Sequence, residues 1–149
     1  MTNRRPWGDW TLIDQDDMSD KKILHLLPGS LLSLQFHGDE NHPGHKETWL
    51  ALTKIRAVVG DTIDDLSIID IQPQGQLIIN PGMIHALVNP FATDCYVMET
   101  RESQCVERPI DREENITRIY DQTNRGGLPS YPEALLKRIW SLKPDYEIV

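Results

Sequence analysis

Four side chains in this 149-residue chain carry metal-ligating groups at spacings that a sheet can bring together: Gln35, His37, Glu47 and His85. They supply one amide oxygen, two imidazoles and one carboxylate. Imidazole with carboxylate suits zinc, and also Mn, Fe, Co or Ni. With a single carboxylate such a centre keeps a charge of roughly +1, stays Lewis-acidic and can polarise a bound carbonyl or hydroxyl. The expected cofactor is one divalent metal ion, zinc first. If the four residues do not converge, the chain is an acidic β domain with ordinary hydrogen-bonded histidines.

Short strands must position them. Turn signals are frequent: Pro28-Gly29, Pro43-Gly44, Gly60-Asp61, Asn80-Pro81-Gly82 and Asn89-Pro90. They separate runs of strand character at 10–13, 23–27, 31–37, 48–55, 66–71, 76–79, 83–88 and 95–100. Many short strands between Gly/Pro turns predict an all-β sandwich or barrel. Side chains alternate along a strand, so Gln35 and His37 share a face, roughly 6.6 Å apart. Leu32, Leu34 and Phe36 take the other face, where a second sheet or a partner subunit can cover them. By the same parity Glu47 and Trp49 share a face. Gly82 permits the tight turn that delivers His85 to its strand.

The tail differs. Ser130-x-x-Glu133 reads as a capping box with Pro132 in the first turn. Leu135, Leu136, Ile139 and Trp140 recur at helical spacing, predicting an amphipathic helix over about 131–142 that packs on the barrel or across a dimer interface. The expectation is one domain, 1–149, with a barrel over about 5–125 and a helical tail over 126–149.

Net charge is −8 and the basic residues are scattered. Nucleic acid and anionic membranes are therefore not expected partners, since both need clustered Lys and Arg. A pocket with one or two cations still suits a small phosphorylated ligand. No apolar run is long enough for a transmembrane helix, and the charged N-terminus has no apolar stretch behind it. The expected location is cytoplasmic. Cys95 and Cys105 match no zinc motif and read as free thiols. The run Asp111-Arg112-Glu113-Glu114 reads as solvated surface.

Two blocks resemble the paired motifs of the cupins. One is Gly29 followed by Gln35-x-His37 and Glu47; the other is Gly82-x-x-His85-x-x-x-Asn89. Within the cupins the chain resembles mannose-6-phosphate isomerases, especially the cupin part of the type II enzymes. Arg5-Pro6-Trp7-Gly8, the Gln35-x-His37 strand, Glu47-Thr48-Trp49 and the block from Ile116 through Arg118 to Asp121 carry that resemblance. It implies a double-stranded β-helix, the cupin jelly-roll barrel, followed by the C-terminal amphipathic helix. It also implies that Gln35, His37, Glu47 and His85 are the metal ligands. Between His37 and Glu47 the chain is similar to type I enzymes, which place a catalytic lysine two residues before the glutamate. Here His45 stands at that position and Lys46 follows it.

The implied activity is metal-dependent aldose–ketose isomerisation of a sugar phosphate, mannose 6-phosphate and fructose 6-phosphate. A base would move a proton between C1 and C2 through a cis-enediol. Histidine titrates near neutrality, so His45 or His42 can serve, and Lys46 can if burial lowers its pKa. The resemblance makes Arg118 the first candidate for the phosphate, followed by Arg125 and Lys46. Trp7, Trp10 and Trp49 either stack a sugar or pack in the core. Cupins of this size are often dimers, so a homodimer is expected. The competing readings are a non-catalytic sugar- or metal-binding cupin, and another cupin enzyme such as an epimerase or an iron-dependent oxygenase.

Overall fold

The computed structural model describes residues 2–38, 45–103, 116–121 and 131–149. His42, Cys105, the 111–114 charge run, Arg125 and Ser130 lie outside the described residues. In chain order the strands are β1 (Thr2–Arg5), β2 (Gly8–Gln15), β3 (Ser19–Leu26), β4 (Leu34–His37), β5 (His45–Ala51) and β6 (Ile55–Gly60). Then come β7 (Ser67–Ile71), β8 (Gln76–Ile79), β9 (Ile84–Val88), β10 (Cys95–Ser103) and β11 (Ile116–Tyr120). Helix α1 (Glu133–Ile139) and β12 (Tyr146–Ile148) follow.

The strands form two six-stranded sheets, one ordered β1-β2-β3-β10-β5-β8 and the other β11-β4-β9-β6-β7-β12. Leu26, Trp49 and Val97 of the first sheet, with Trp7 from its β1–β2 turn, share one core with Ile55, Ala57, Ile69 and Leu87 of the second. This is the expected all-β jelly roll with one short C-terminal helix. Among the described residues no helix is long and apolar enough to cross a membrane.

The second sheet is buried on both faces. Its outer side, with Leu34, Val58, Ile68 and Val88, packs on Tyr131, Leu135 and Ile139 of the tail. The parity that turns Gln35 and His37 inward thus turns Leu34 outward, onto the chain's own helix. Leu32 departs from the expected parity and packs against the inter-sheet core, because it precedes β4.

The helix is shorter than its apolar pattern. Its N-cap is Pro132, with no side-chain cap bond, and Trp140 is already the C-cap at φ −90°. Pro144 then bars continuation, because the residue before a proline is driven out of helical geometry. The tail returns as β12, the parallel partner of β7. Arg56 fixes this end: its guanidinium pairs bidentately with Asp70 at 2.6 and 3.1 Å and also donates to the carbonyls of Ile139 and Ser141.

Candidate metal centre

Glu47 stands at the centre, with 3% of its surface exposed. Its Oε1 lies 3.0 Å from His37 Nε2 and 3.0 Å from His45 Nε2. His85 Nε2 lies 3.7 Å from the same oxygen. Oε2 accepts a hydrogen bond from Trp49 Nε1 at 3.1 Å. One sheet supplies His45, Glu47 and Trp49 from alternate positions of β5. The facing sheet supplies His37 from β4 and His85 from β9, where Gln35 and His85 are register partners.

The Asn80–Met83 turn sets His85. Met83 N–H donates to the Asn80 carbonyl at 3.1 Å, and Gly82 sits at φ 81°, a region that favours glycine. Gly82 N–H also donates to the His37 carbonyl at 3.1 Å, tying the turn to β4. His85 Nδ1 donates to the Met83 carbonyl at 2.8 Å, which fixes which ring nitrogen faces Glu47. Asn89, fully buried, donates to the carbonyls of Leu26 and Thr93 and accepts from Phe91 N–H. Its place in the second motif is structural.

Burial pushes the Glu47 carboxyl upward, but the charge of His85 and hydrogen bonds from His37 and His45 outweigh it. The group is held well below the usual carboxylate range. Burial pulls His37 below its ordinary value, and its hydrogen bond to Glu47 opposes the shift in part. An anionic carboxylate beside a neutral imidazole is the protonation state that ligation requires. His37, His45 and Glu47 each offer a ligand atom within 4.8 Å of the others, and all three are buried, so the cluster can hold a metal ion. Gln35 Oε1 accepts from Ser33 Oγ at 2.6 Å, while its amide nitrogen lies 3.4 Å from His37 Nε2. A half turn of the amide exchanges the two and presents Oε1 to the cluster, the Ser33 hydroxyl then accepting.

The cluster opens into a cavity of about 120 Å³ between the sheets. Four cations line it: Arg5, Lys22, Arg101 and Arg118. Arg101 pairs bidentately with Asp20 at 2.9 and 2.6 Å. Arg118, opposite Gln35 in the β4–β11 pair, has a buried Nε with no hydrogen-bond partner among the described residues. Trp7, Trp10 and Trp49 also line the cavity, although Trp7 and Trp49 belong to the core as well. Glu99 completes the wall. Its Oε2 accepts from Trp49 Nε1 at 3.3 Å, and burial drives its carboxyl up to about 8, with Glu47 adding to the shift and Arg101 and Lys22 opposing it.

Of the sequence candidates, Gln35, His37, Glu47 and His85 come together, and Arg118 lines the same cavity. Lys46 does not join them. It falls at the opposite parity of β5, across from Glu102, and is absent from the cavity wall. His45, expected on a loop as a base, is instead a buried strand residue at the cluster, and its Nδ1 has no partner among the described residues. The signal was present: parity places His45, Glu47 and Trp49 on one face. Glu99 and Lys22 carried no spacing signal, because the β3–β10 pairing that brings them together is long-range; Arg5 stands in the Arg5-Pro6-Trp7-Gly8 motif, which did not mark it as a cavity residue.

Solved structures share this architecture. An oxalate decarboxylase from Lactobacillus farciminis superposes with TM-score 0.61 at 14% identity, covering 80% of this chain and 33% of that one. The capsular polysaccharide assembling protein CapF from Staphylococcus aureus gives 0.57 at 18%, covering 73% and 30%. The cupin domain of Schizosaccharomyces pombe Cnp3 gives 0.54 at 12%, covering 66% and 63%. The chain spans about a third of the length of the first two. At these identities the likeness shows the cupin fold alone. No curated protein sequence matches the chain. Residues 1–121 match the family described as mannose-6-phosphate isomerase C-terminal, and the chain belongs to that family.

Proposed function

We propose that this protein is a metal-dependent aldose–ketose isomerase of a phosphorylated sugar, with mannose 6-phosphate and fructose 6-phosphate as the first pair to test. One observation carries the reading: a buried imidazole–carboxylate cluster opens onto a cavity lined by four cations, in a chain of net charge −8. Family membership points to the same chemistry.

His37, His45, Glu47 and His85 would hold the ion, with Gln35 beside them. The ion, zinc first, would supply an electrophile for the developing enediolate oxygens. Glu99 sits on β10, the strand next to β5, within the same cavity. Its carboxylate takes the proton from one carbon of the C1–C2 pair and returns it to the other. Trp49 Nε1 holds Glu99 Oε2 in place at 3.3 Å. Arg118, which lines the same cavity, would face the phosphorylated ligand. The core around Trp49 and Leu87 excludes water from the closed end.

A coupled assay of purified protein, stripped and reloaded with Zn, Mn, Co or Fe(II), tests this. Interconversion of the two hexose phosphates that vanishes on chelation is expected. A metal-loaded protein that turns over neither would overturn the reading, and oxygen consumption only with Fe(II) would replace it with an oxygenase.

A further inference from the structure

Gln35 and His37 share the inward face of β4, and Ser33, two residues before Gln35, lines the same cavity. Ser33 is only 5% exposed, and its hydroxyl donates to Gln35 Oε1 at 2.6 Å. The other end of that amide, Nε2, lies 3.4 Å from His37 Nε2. The same His37 nitrogen is 3.0 Å from Glu47 Oε1. The amide therefore shows its N–H side to the cluster and its oxygen to Ser33. An N–H side cannot stay turned to a divalent cation, whose ligands must present lone pairs. Inverting the amide brings Oε1 to the cluster and Nε2 to Ser33. A serine hydroxyl can meet either end, because rotation about its C–O bond turns a donor into an acceptor without moving the oxygen. Among the described residues no other side chain hydrogen-bonds the Gln35 amide on the side away from His37.

We propose that Ser33 is the positioning residue for Gln35: by changing from donor to acceptor, its hydroxyl lets the amide invert and holds Oε1 towards the metal ion. Gln35 is then an oxygen ligand only while Ser33 anchors its NH2 group. Without the hydroxyl the inverted amide leaves that group unpaired in a buried place, which opposes ligation. Ser33 itself touches neither ion nor substrate in this role. This deepens the metal-dependent reading and rests on it for the ion alone.

Zinc affinity of the full chain, measured by competition with a chelator, and the visible absorption of its Co(II) form test this. Ser33→Ala should weaken zinc roughly 10–100-fold, the range for losing a group that orients a ligand. Its Co(II) spectrum should change to that of Gln35→Ala, since both lose the same oxygen ligand. Ser33→Thr, which keeps the hydroxyl, should retain the wild-type spectrum. Ser33→Cys, a weak donor and acceptor, should show the same loss in smaller measure and guards against a Ser33→Ala variant that fails to fold. In a Gln35→Ala background Ser33→Ala should cost no further affinity, because no amide is left to orient. Wild-type affinity and spectrum in Ser33→Ala and Ser33→Cys overturn the role, and so does an equal loss with and without Gln35. Turnover is read separately. Ser33-dependent metal binding without turnover removes the isomerase reading and leaves the positioning role; turnover with Ser33-independent metal binding does the reverse.

Discussion

His45 Nε2 lies 3.0 Å from Glu47 Oε1, two residues away on the same face of β5. This pairing makes His45 a member of the buried cluster, placed on a strand and not on a loop.

Ligation predicts a contrast between neighbours. His45→Ala should lower zinc affinity by at least ~10-fold, the scale seen when a group supporting a metal site is lost. Lys46→Ala, on the other face, should leave zinc content and turnover unchanged. Zinc measured by atomic emission after dialysis checks both. Full occupancy in His45→Ala would falsify the ligand role, and zinc loss in Lys46→Ala would contradict the strand parity.

Glu99 gives a pH prediction. Its folded carboxyl is raised to about 8 from 4.5, chiefly by burial. The folded state therefore binds a proton that the unfolded state has lost between those values. Its contribution to stability is complete below the unfolded value and disappears as pH rises through about 8. Metal-free wild type should lose stability across that window, and Glu99→Gln should flatten the loss. Urea midpoints at several pH values report this; parallel slopes in the two proteins would refute it. As the proposed base, Glu99 must be ionised, so kcat/KM should climb towards pH 8 and Glu99→Gln should lose turnover while keeping zinc.

The ligand strand was legible in sequence because β4 alternates, and because Pro81-Gly82 marks the turn before His85. The 48–55 run was misread as one strand. The chain actually turns at Leu52-Thr53-Lys54, and β6 follows with both faces buried, so Ile55–Gly60 shows no alternation to detect. β12 was invisible for another reason. Three residues after a proline carry almost no periodicity, and only pairing with β7 makes them a strand.

Arg56 tests how the tail is held. It is 2% exposed, and Asp70 is 1% exposed. Arg56→Met would remove the charge and leave Asp70 buried with, among the described residues, the half-exposed Lys54 ammonium at 3.7 Å as its remaining ion-pair partner. Breaking a buried pair from one side costs about 3–5 kcal/mol, whereas replacing both partners by apolar residues costs much less. Arg56→Met should therefore lose most of that in urea unfolding, and Arg56→Met with Asp70→Leu should recover part of it. An Arg56→Met variant within ~0.5 kcal/mol of wild type, the usual range for surface substitutions, would mean the pair is not structurally important.

Gly8 closes the Arg5-Pro6-Trp7-Gly8 segment, and its role is steric. At φ 149° it lies where side chains rarely go, and a Cβ built there would sit 1.9 Å from the His25 carbonyl oxygen. That carbonyl belongs to β3, held between β2 and β10, so it cannot withdraw without breaking the sheet. The neighbouring Trp7 carbonyl accepts from Leu27 N–H at 2.9 Å and from Ser30 Oγ at 2.9 Å, which anchors the turn from the other side. Gly8→Ala should therefore destabilise by at least ~2 kcal/mol, combining backbone strain with overpacking. Because Trp7 lines the cavity, displacement of this segment should also weaken binding of fructose 6-phosphate while zinc content is retained. Thermal unfolding and zinc analysis of the one variant separate the two effects: an unchanged Tm would refute the steric account, and loss of zinc together with stability would show that the segment supports the cluster itself.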